Sequence, residues 1–310
     1  MTSKISTLLK SSVVLGSLLL ASGAGAEEPN VTRGRAEVYK QLPPESLETV
    51  STREQIIKLG AANVAPTRIW KVLEHGEKLE CLACVPVVSK LLYSSQPKTR
   101  EIAAWWLRRR IFGVFGPGQV YEQTLNALGN EAETESHRVY AANALGEFLS
   151  MSGVPALSKA VLTDESAPVR TAAVSALERL NSSGESGQEL TAALGDHDEV
   201  VRLAALHAAT RINAFTDVEG VVALIGDDSS LVRRRAAETL GVMKAADAVA
   251  GLMVLASEAE ESDVQVRAAA VWALGQIGEP AAADAIREAQ NDSDPSVRSA
   301  AKISARLLRL

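Results

Sequence analysis

The feature that most constrains the fold is a segment that recurs seven times along the chain. Each copy contains one anchoring arginine, and successive arginines lie 38, 32, 32, 31, 34 and 31 residues apart. The anchors are Arg100, Arg138, Arg170, Arg202, Arg233, Arg267 and Arg298. A repeat period of about 20 to 50 residues is typical of solenoids and related arrays. The chain is therefore expected to fold as a row of similar units, each in contact with its neighbours.

Each segment has the pattern of an amphipathic helix. Small or aliphatic residues recur three, four, six and seven positions after the arginine, as in Ala270, Val271, Ala273 and Leu274. This spacing places them on one buried stripe. A shorter helical segment, such as "VPALSKAVL", precedes each copy. Because one helix pair cannot bury its apolar face alone, the pattern predicts an all-α protein with about seven stacked pairs over 81–310.

An acidic residue stands six positions before the arginine in the last five repeats. These acids are Asp164, Asp196, Asp227, Glu261 and Asp292. Ser94 and Ala132 occupy the position in the first two repeats. The position falls in the turn between the two helices, where an acid can cap the second helix or pair with an arginine of a neighbouring repeat. Since five consecutive repeats use it, we interpret the acid–arginine ladder as structural rather than catalytic.

The pattern "D-x4-VR-x2-AA-x-AL-G" resembles HEAT repeats of the phycobilisome-lyase type. The resemblance covers about residues 84 to 310 and is weakest in the first two repeats. It implies a right-handed α-solenoid. It implies no single function, because such relatives include bilin lyases, an iron-dependent hydroxylase, DNA-repair glycosylases and many scaffolds.

The first 26 residues have the features of a secretory signal peptide. Two lysines come first, a short apolar run follows over 13–20, and the small-residue stretch "ASGAGA" precedes Glu27. A run this short does not span a bilayer comfortably. Cleavage after Ala26 and a periplasmic or secreted protein are expected, with an uncleaved anchor as the alternative. Residues 27–50 are predicted to form an extended or poorly ordered arm, and residues 51–80 a degenerate helix pair capping the array.

The charge balance bears on the partner. The mature chain would carry 30 lysines and arginines against 38 aspartates and glutamates, a net charge of −8. An exported acidic protein has no general basic field with which to hold nucleic acid. No segment after the signal approaches the roughly 18 apolar residues of a membrane-spanning helix. We therefore expect a protein partner, no nucleic acid and no stable membrane insertion after cleavage.

The two cysteines, Cys81 and Cys84, form a C-x2-C motif at the start of the first repeat. Val85 follows, where covalent haem attachment would need histidine. Zinc would need about four ligands, and few histidines are available. A local disulfide is the favoured interpretation, and a thioredoxin-like redox site remains the alternative because a helix start lowers a thiol pKa.

The fifth residue after each anchoring arginine varies in chemistry while its neighbours stay apolar. This position-five column comprises Trp105, Asn143, Ser175, His207, Glu238, Trp272 and Ile303. Repeat arrays commonly bind partners through their concave surface, so Trp105, His207 and Trp272 are candidate contacts. Trp106 takes a position that is small elsewhere and is expected in the core against the N-terminal helices.

Arg108, Arg109 and Arg110 end the second helix of the first repeat. Cations interact favourably with a helix C-terminus, but three in a row on an acidic protein suggest a basic edge for an acidic patch on the partner. The function predicted is therefore an exported, non-catalytic scaffold or adaptor without a cofactor.

An enzyme is the alternative function. It would be either a thiol-redox protein using the C-x2-C pair or a metal-dependent oxidoreductase similar to the hydroxylase. No catalytic or metal-ligating residue is assigned, because the chain contains no His-Glu dipeptide, no G-x-S-x-G motif and no phosphate-binding glycine loop.

Overall fold

The computed structural model describes residues 50–61, 64–116, 118–185 and 187–310. The predicted signal peptide, 1–26, and nearly all of the predicted arm, 27–50, lie outside the described residues. Within the described ranges all regular structure is helical, with sixteen α-helices joined by short turns. The predicted all-α class is confirmed.

The helices follow one another as eight pairs. They are α1 Arg53–Ile57 with α2 Pro66–His75, α3 Val85–Leu91 with α4 Pro97–Arg109, α5 Gly118–Gly129 with α6 Glu135–Phe148, α7 Val154–Thr163 with α8 Ala167–Arg179, α9 Glu189–Leu194 with α10 Glu199–Ala209, α11 Val218–Ala223 with α12 Ser230–Met243, α13 Val249–Leu255 with α14 Val264–Ile277, and α15 Ala283–Ala289 with α16 Pro295–Leu308. Pair α1/α2 precedes the seven repeats, as the sequence predicts.

The second helix of each pair packs against the second helix of the next, from α2 and α4 through to α14 and α16. First helices such as α7 and α9 form the other layer. The buried core runs continuously between the layers and is rich in alanine and leucine. A single helix pair cannot bury its own apolar face, and stacking against the neighbouring pairs buries it here.

Glycine sets the spacing between several second helices. A Cβ on Gly146 would lie 2.9 Å from the Cα of Ala176, and one on Gly241 would lie 2.9 Å from the Cα of Ala273. Such distances are below ordinary van der Waals contact. The glycine and alanine in the repeat pattern therefore permit close backbone approach between consecutive second helices.

The acid–arginine ladder joins one repeat to the next. The five ion pairs are Arg138–Asp164, Arg170–Asp196, Arg202–Asp227, Arg233–Glu261 and Arg267–Asp292. In each pair the arginine Nε and Nη2 donate to the two carboxylate oxygens, as Arg170 does to Asp196 at 2.6 and 2.8 Å. Two parallel hydrogen bonds make this the strongest arginine–carboxylate geometry. The last anchor, Arg298, donates to the backbone carbonyls of Asp292 and Ser293.

The sequence left two roles open for the ladder acid, capping of the second helix and pairing with an arginine of a neighbouring repeat. In the structure the acid pairs with the arginine. The helix cap is the residue two positions later, such as Ser166 before α8 or Ser229 before α12. The acid accepts the backbone N–H of that capping residue, as Asp227 does from Ser229 at 2.9 Å. Each ladder acid therefore connects the preceding repeat to the start of its own second helix.

The environment of three ladder acids, Asp196, Glu261 and Asp292, lowers the pKa of their carboxyl groups. Burial by itself would raise the pKa of Asp196, Glu261 and Asp292. Hydrogen bonds from the partner arginine and from a backbone N–H outweigh burial, so the pKa of each carboxyl lies below its ordinary value. These three ion pairs therefore persist at neutral pH.

Candidate partner-binding surface

The position-five column marks the solvent-facing side of the second helices, which we call the second-helix face. Its residues are half-buried or exposed, whereas in the first six repeats the residues on both sides of them, such as Val271 and Ala273 around Trp272, are buried. Trp105 and Trp272 are half-buried and pack against the core. His207 has 64% of its side chain exposed. All three candidate contacts from the sequence thus lie on one face, in three different repeats.

Trp272 forms one wall of a depression between α12 and α14. The depression has a volume of about 480 Å³, and Val242, Ala268 and Glu238 also line it. A Cβ on Gly241 would lie 2.8 Å from Cζ3 of the tryptophan ring, so the ring lies against the bare backbone of α12. The glycine therefore lets the indole rest on the neighbouring helix while part of it stays open to solvent.

The rim of this depression is charged. Arg234 Nε lies 3.3 Å and Arg235 Nη1 lies 2.7 Å from the carboxylate of Glu238. A tryptophan wall with an arginine at the edge is the composition that dominates binding energy at protein interfaces. Sequence reasoning missed Val242, which is 59% exposed. Its signal was available, because it stands four residues after Glu238 and so on the same helix face.

His207 belongs to an ionic cluster between α8 and α10. Its Nδ1 lies 2.9 Å from Oε2 of Glu178, and Nε of Arg211 lies 2.5 Å from Oε1 of the same carboxylate. The two cations are more than 60% exposed, although the carboxylate is only 15% exposed, and ion pairs with a solvent-exposed cation contribute about 0–1 kcal/mol each to stability. The cluster therefore offers polar groups to a partner more than it holds the two repeats together.

The predicted basic edge of three arginines needs a correction. Arg109 is exposed and pairs with Glu77 at 3.5 Å. Arg108 is half-buried, and its Nη1 donates to the backbone carbonyl of Glu147 at 3.5 Å. Arg110 is only 1% exposed. It is therefore not part of an exposed edge, and two arginines remain there.

Arg110 is a structural link inside the N-terminal end of the array. Its guanidinium donates to the carbonyls of Gly76, Glu77, Leu79 and Trp106 and lies over the Trp106 ring at 3.6 Å. The single turn of π-helix that follows α4 starts at this residue. Burial of an arginine is tolerated when its donors are satisfied, and the carbonyls of the turn after α2 satisfy them here.

Trp106 is fully buried, and its Nε1 donates to the carbonyl of Gly76 at 3.1 Å. The tryptophan thus fills the space between α4 and the N-terminal pair, as predicted. Together with Arg110, it joins the degenerate pair to the first repeat.

Cys81 and Cys84 are joined by a disulfide at the turn before α3. Both residues are buried, with 2% and 0% exposure. Thiol–disulfide exchange requires a thiolate to reach one of the sulfurs. The disulfide is therefore a local cross-link at the start of the first repeat, and its sulfurs are covered by protein.

Within the described residues, no cluster of three or more histidine, cysteine, aspartate or glutamate side chains could hold a metal ion. None of the helices in the described part of the chain has both the length and the apolar character needed to cross a membrane.

This chain is similar to several solved structures. A structure of YibA of Escherichia coli aligns with 94% of this chain and 99% of its own, at 15% identity and a TM-score of 0.58. Kap95p, whose binding induces the switch loops of RanGDP to adopt the GTP-bound conformation, aligns with 85% of this chain and 38% of its own, at 16% identity and a TM-score of 0.57. The CpcE–CpcF complex of phycocyanin lyase from Nostoc sp. PCC7120 aligns with 72% of this chain and 86% of its own, at 26% identity and a TM-score of 0.39.

No curated protein sequence matches this chain. The sequence model of the family described as HEAT repeats matches residues 121–210 and 218–306. These two matches cover more than half of the chain and coincide with the ladder-forming repeats. The chain therefore belongs to the HEAT-repeat family.

Proposed function

We propose that this protein is an exported, non-catalytic scaffold that binds a protein partner through its second-helix face. The observation that carries the proposal is the depression at Trp272. A half-buried tryptophan, an exposed valine and a charged rim meet there across two repeats. This arrangement resembles an interface centre with a polar rim, whereas the buried disulfide gives a redox reaction no accessible sulfur.

The distribution of charge supports an acidic surface on the partner. Residues 50–116 contain eleven lysines and arginines against five glutamates, whereas residues 118–310 contain sixteen against twenty-eight acidic residues. Arg109 and half-buried Arg108 lie in the basic part. Opposite charges steer association and suppress wrong partners more than they add affinity. A partner with an acidic patch would therefore orient its patch toward the N-terminal repeats.

A matched pair of valine variants tests the binding face. Val242 and Val254 are 59% and 55% exposed, but Val242 lines the depression on α12 and Val254 lies on the first helix α13. Val242→Lys places a charge in the depression and should reduce partner capture from the periplasm or medium at least tenfold, about 1.4 kcal/mol. Val254→Lys should capture the partner as well as wild type. Equal capture by both variants would remove the second-helix face from the proposal.

Export has its own test. Mass spectrometry of the mature protein should find a chain that begins at Glu27, because the signal peptide is removed after Ala26. A mature chain that retains residues 1–26 would contradict export by cleavage, and it would leave the binding test unaffected.

A further inference from the structure

The ladder is incomplete at its first junction. In the five junctions that follow, Nε and Nη2 of an arginine bind the carboxylate of the next repeat. The corresponding arginine of the first repeat is Arg100, and the corresponding position of the second repeat is Ala132. The side chain at 132 therefore supplies no carboxylate to Arg100.

Arg100 nevertheless keeps the pose of a ladder arginine. Its Nη1 donates to the carbonyl of Ser94, six residues earlier, at 2.7 Å. Arg170 makes the same bond to the carbonyl of Asp164, also six residues earlier, at 2.9 Å. Because the guanidinium is planar, sharing this contact directs the Nε–Nη2 edge of Arg100 toward the place where other repeats have their acid.

Tyr140 partly compensates for the missing acid. Its ring lies 4.0 Å from Cζ of Arg100, and the same position in the next two repeats is alanine, Ala172 and Ala204. A cation–π contact uses the face of the guanidinium. The in-plane donors at the Nε–Nη2 edge stay available, and within the described residues no carboxylate lies at ion-pair distance from Arg100.

Arg100 also lines a cavity of about 220 Å³. Arg100, Tyr140 and Asn143 line it, and Asn143 belongs to the position-five column, so the cavity adjoins the second-helix face. The charged side chains Glu101, Glu147 and Arg179 line it as well. Glu101 pairs with Lys98 at 3.2 Å and Glu147 with Arg179 at 2.7 Å. Each carboxylate of the cavity thus has its own cation, and Arg100 is the cation that has no carboxylate there.

We propose that Arg100 is a receptor for a carboxylate, and that an aspartate or glutamate side chain of the bound protein partner fills it. The incoming acid would complete the first rung with the two parallel hydrogen bonds seen in the other five. This inference rests on the proposed function for the identity of the occupant. The openness of the site itself can be tested without a partner.

The first experiment introduces the missing acid by a substitution in the protein itself. Ala132→Asp places a carboxylate at the ladder position and should raise Tm by about 2–4 °C, because it forms the ion pair that the later repeats contain. Ala132→Asn, which has the same shape without the charge, should give no comparable rise. The gain should also disappear when Arg100→Gln is added. An unchanged or lower Tm for Ala132→Asp would show that the edge is closed and would overturn the proposal.

The second experiment uses an acetylated hexaglutamate peptide as the acidic probe and a hexaglutamine peptide as its neutral counterpart. Wild type should bind the acidic peptide in fluorescence anisotropy at low salt, and Ala132→Asp should weaken that binding at least tenfold by occupying Arg100. Asn213→Asp adds the same charge at an exposed position after α10, at the end of the fourth repeat, and should change binding less than threefold. Equal loss of peptide binding in both variants would show that the effect comes from the overall charge of the protein, and it would overturn the assignment of Arg100 as the carboxylate receptor.

Competition distinguishes the source of the anion. Acetate should displace the peptide at concentrations similar to those of inorganic phosphate if the site is shaped for a carboxylate. Displacement by phosphate at far lower concentrations would assign the site to a phosphate group and overturn the choice of an acidic side chain. A failure of partner capture with a positive Tm result would instead count against the proposed function alone.

Discussion

Removing one acid of the ladder should separate a structural rung from an ordinary helix cap. Asp227 is well placed for this test because it lies between the fourth and fifth repeats. It accepts from Arg202 Nε at 2.7 Å, from Arg202 Nη2 at 2.9 Å and from the backbone N–H of Ser229 at 2.9 Å. Asp227→Ala removes all three bonds at once. The guanidinium keeps its bond to the carbonyl of Asp196.

The magnitude follows from burial. The side chains of Arg202 and Asp227 are 15% and 8% exposed. Breaking a buried pair by removing one partner costs about 3–5 kcal/mol, because the remaining charge is left without compensation. The partial exposure of Arg202 places the expected loss near the lower limit, about 3 kcal/mol. Loss of a helix cap alone would cost about 0.5–2 kcal/mol.

Urea unfolding followed by circular dichroism measures the difference. The matched control is Asp284→Ala, since Asp284 pairs with Arg287 at 2.7 Å but is 94% exposed, and it should cost at most about 0.5 kcal/mol. The slope of the transition must be compared as well, because a fall would indicate that part of the array unfolds separately. Equal losses for the two variants would refute the view that the ladder holds consecutive repeats together.

Further outcomes follow from the same contacts. The pKa values of Asp196, Glu261 and Asp292 are lowered in the folded protein. Their contribution to stability is therefore complete above the ordinary pKa values, 3.8 for aspartate and 4.5 for glutamate, and is lost as the pH falls below those values. A free energy of unfolding that stays constant through this acid range would contradict the prediction. Trp106→Ala should cost about 3–5 kcal/mol in denaturant unfolding, and half-buried Trp105→Ala should cost clearly less; similar losses would contradict their different placement. Arg110→Gln should lower the free energy of unfolding by about 3 kcal/mol, because it leaves buried carbonyls without donors. Unchanged stability would contradict the buried, hydrogen-bonded placement of Arg110.

Much of the architecture could be read from local pattern. A buried helical stripe needs only the 3.6-residue period, which the residues after Arg267 show within a single turn and a half. The repetition of that stripe at a nearly constant interval then implies stacking, because isolated pairs leave apolar surface exposed. The internal role of Trp106 was equally legible, since an aromatic residue stands where the other repeats have small ones.

The partner of each ladder acid could not be read in the same way. Asp227 and Arg202 are 25 residues apart, and the sequence allowed both a cap and a pair. Their pairing depends on how the second helices stack, and the glycine at 241 helps set that spacing in the following junction. The capping role falls to Ser229, which accepts the backbone N–H of Val232, because the carboxylate of Asp227 is occupied by Arg202 and by the N–H of Ser229.

The sequence by itself determined the helical class, the number of repeats and the stripe that faces the core, because these depend on short-range periodicity. Tertiary structure alone decided that Arg110 is internal while Arg109 is exposed. Both are arginines at the end of one helix, but the π-turn and the carbonyls of Gly76 and Leu79, more than 30 residues away, take up the donors of Arg110. The open edge of Arg100 is the opposite case. The absence of an acid at Ala132 is visible in the sequence, but the retained ladder pose that makes this absence a binding site is visible only when Ser94, Arg100 and Tyr140 are seen together.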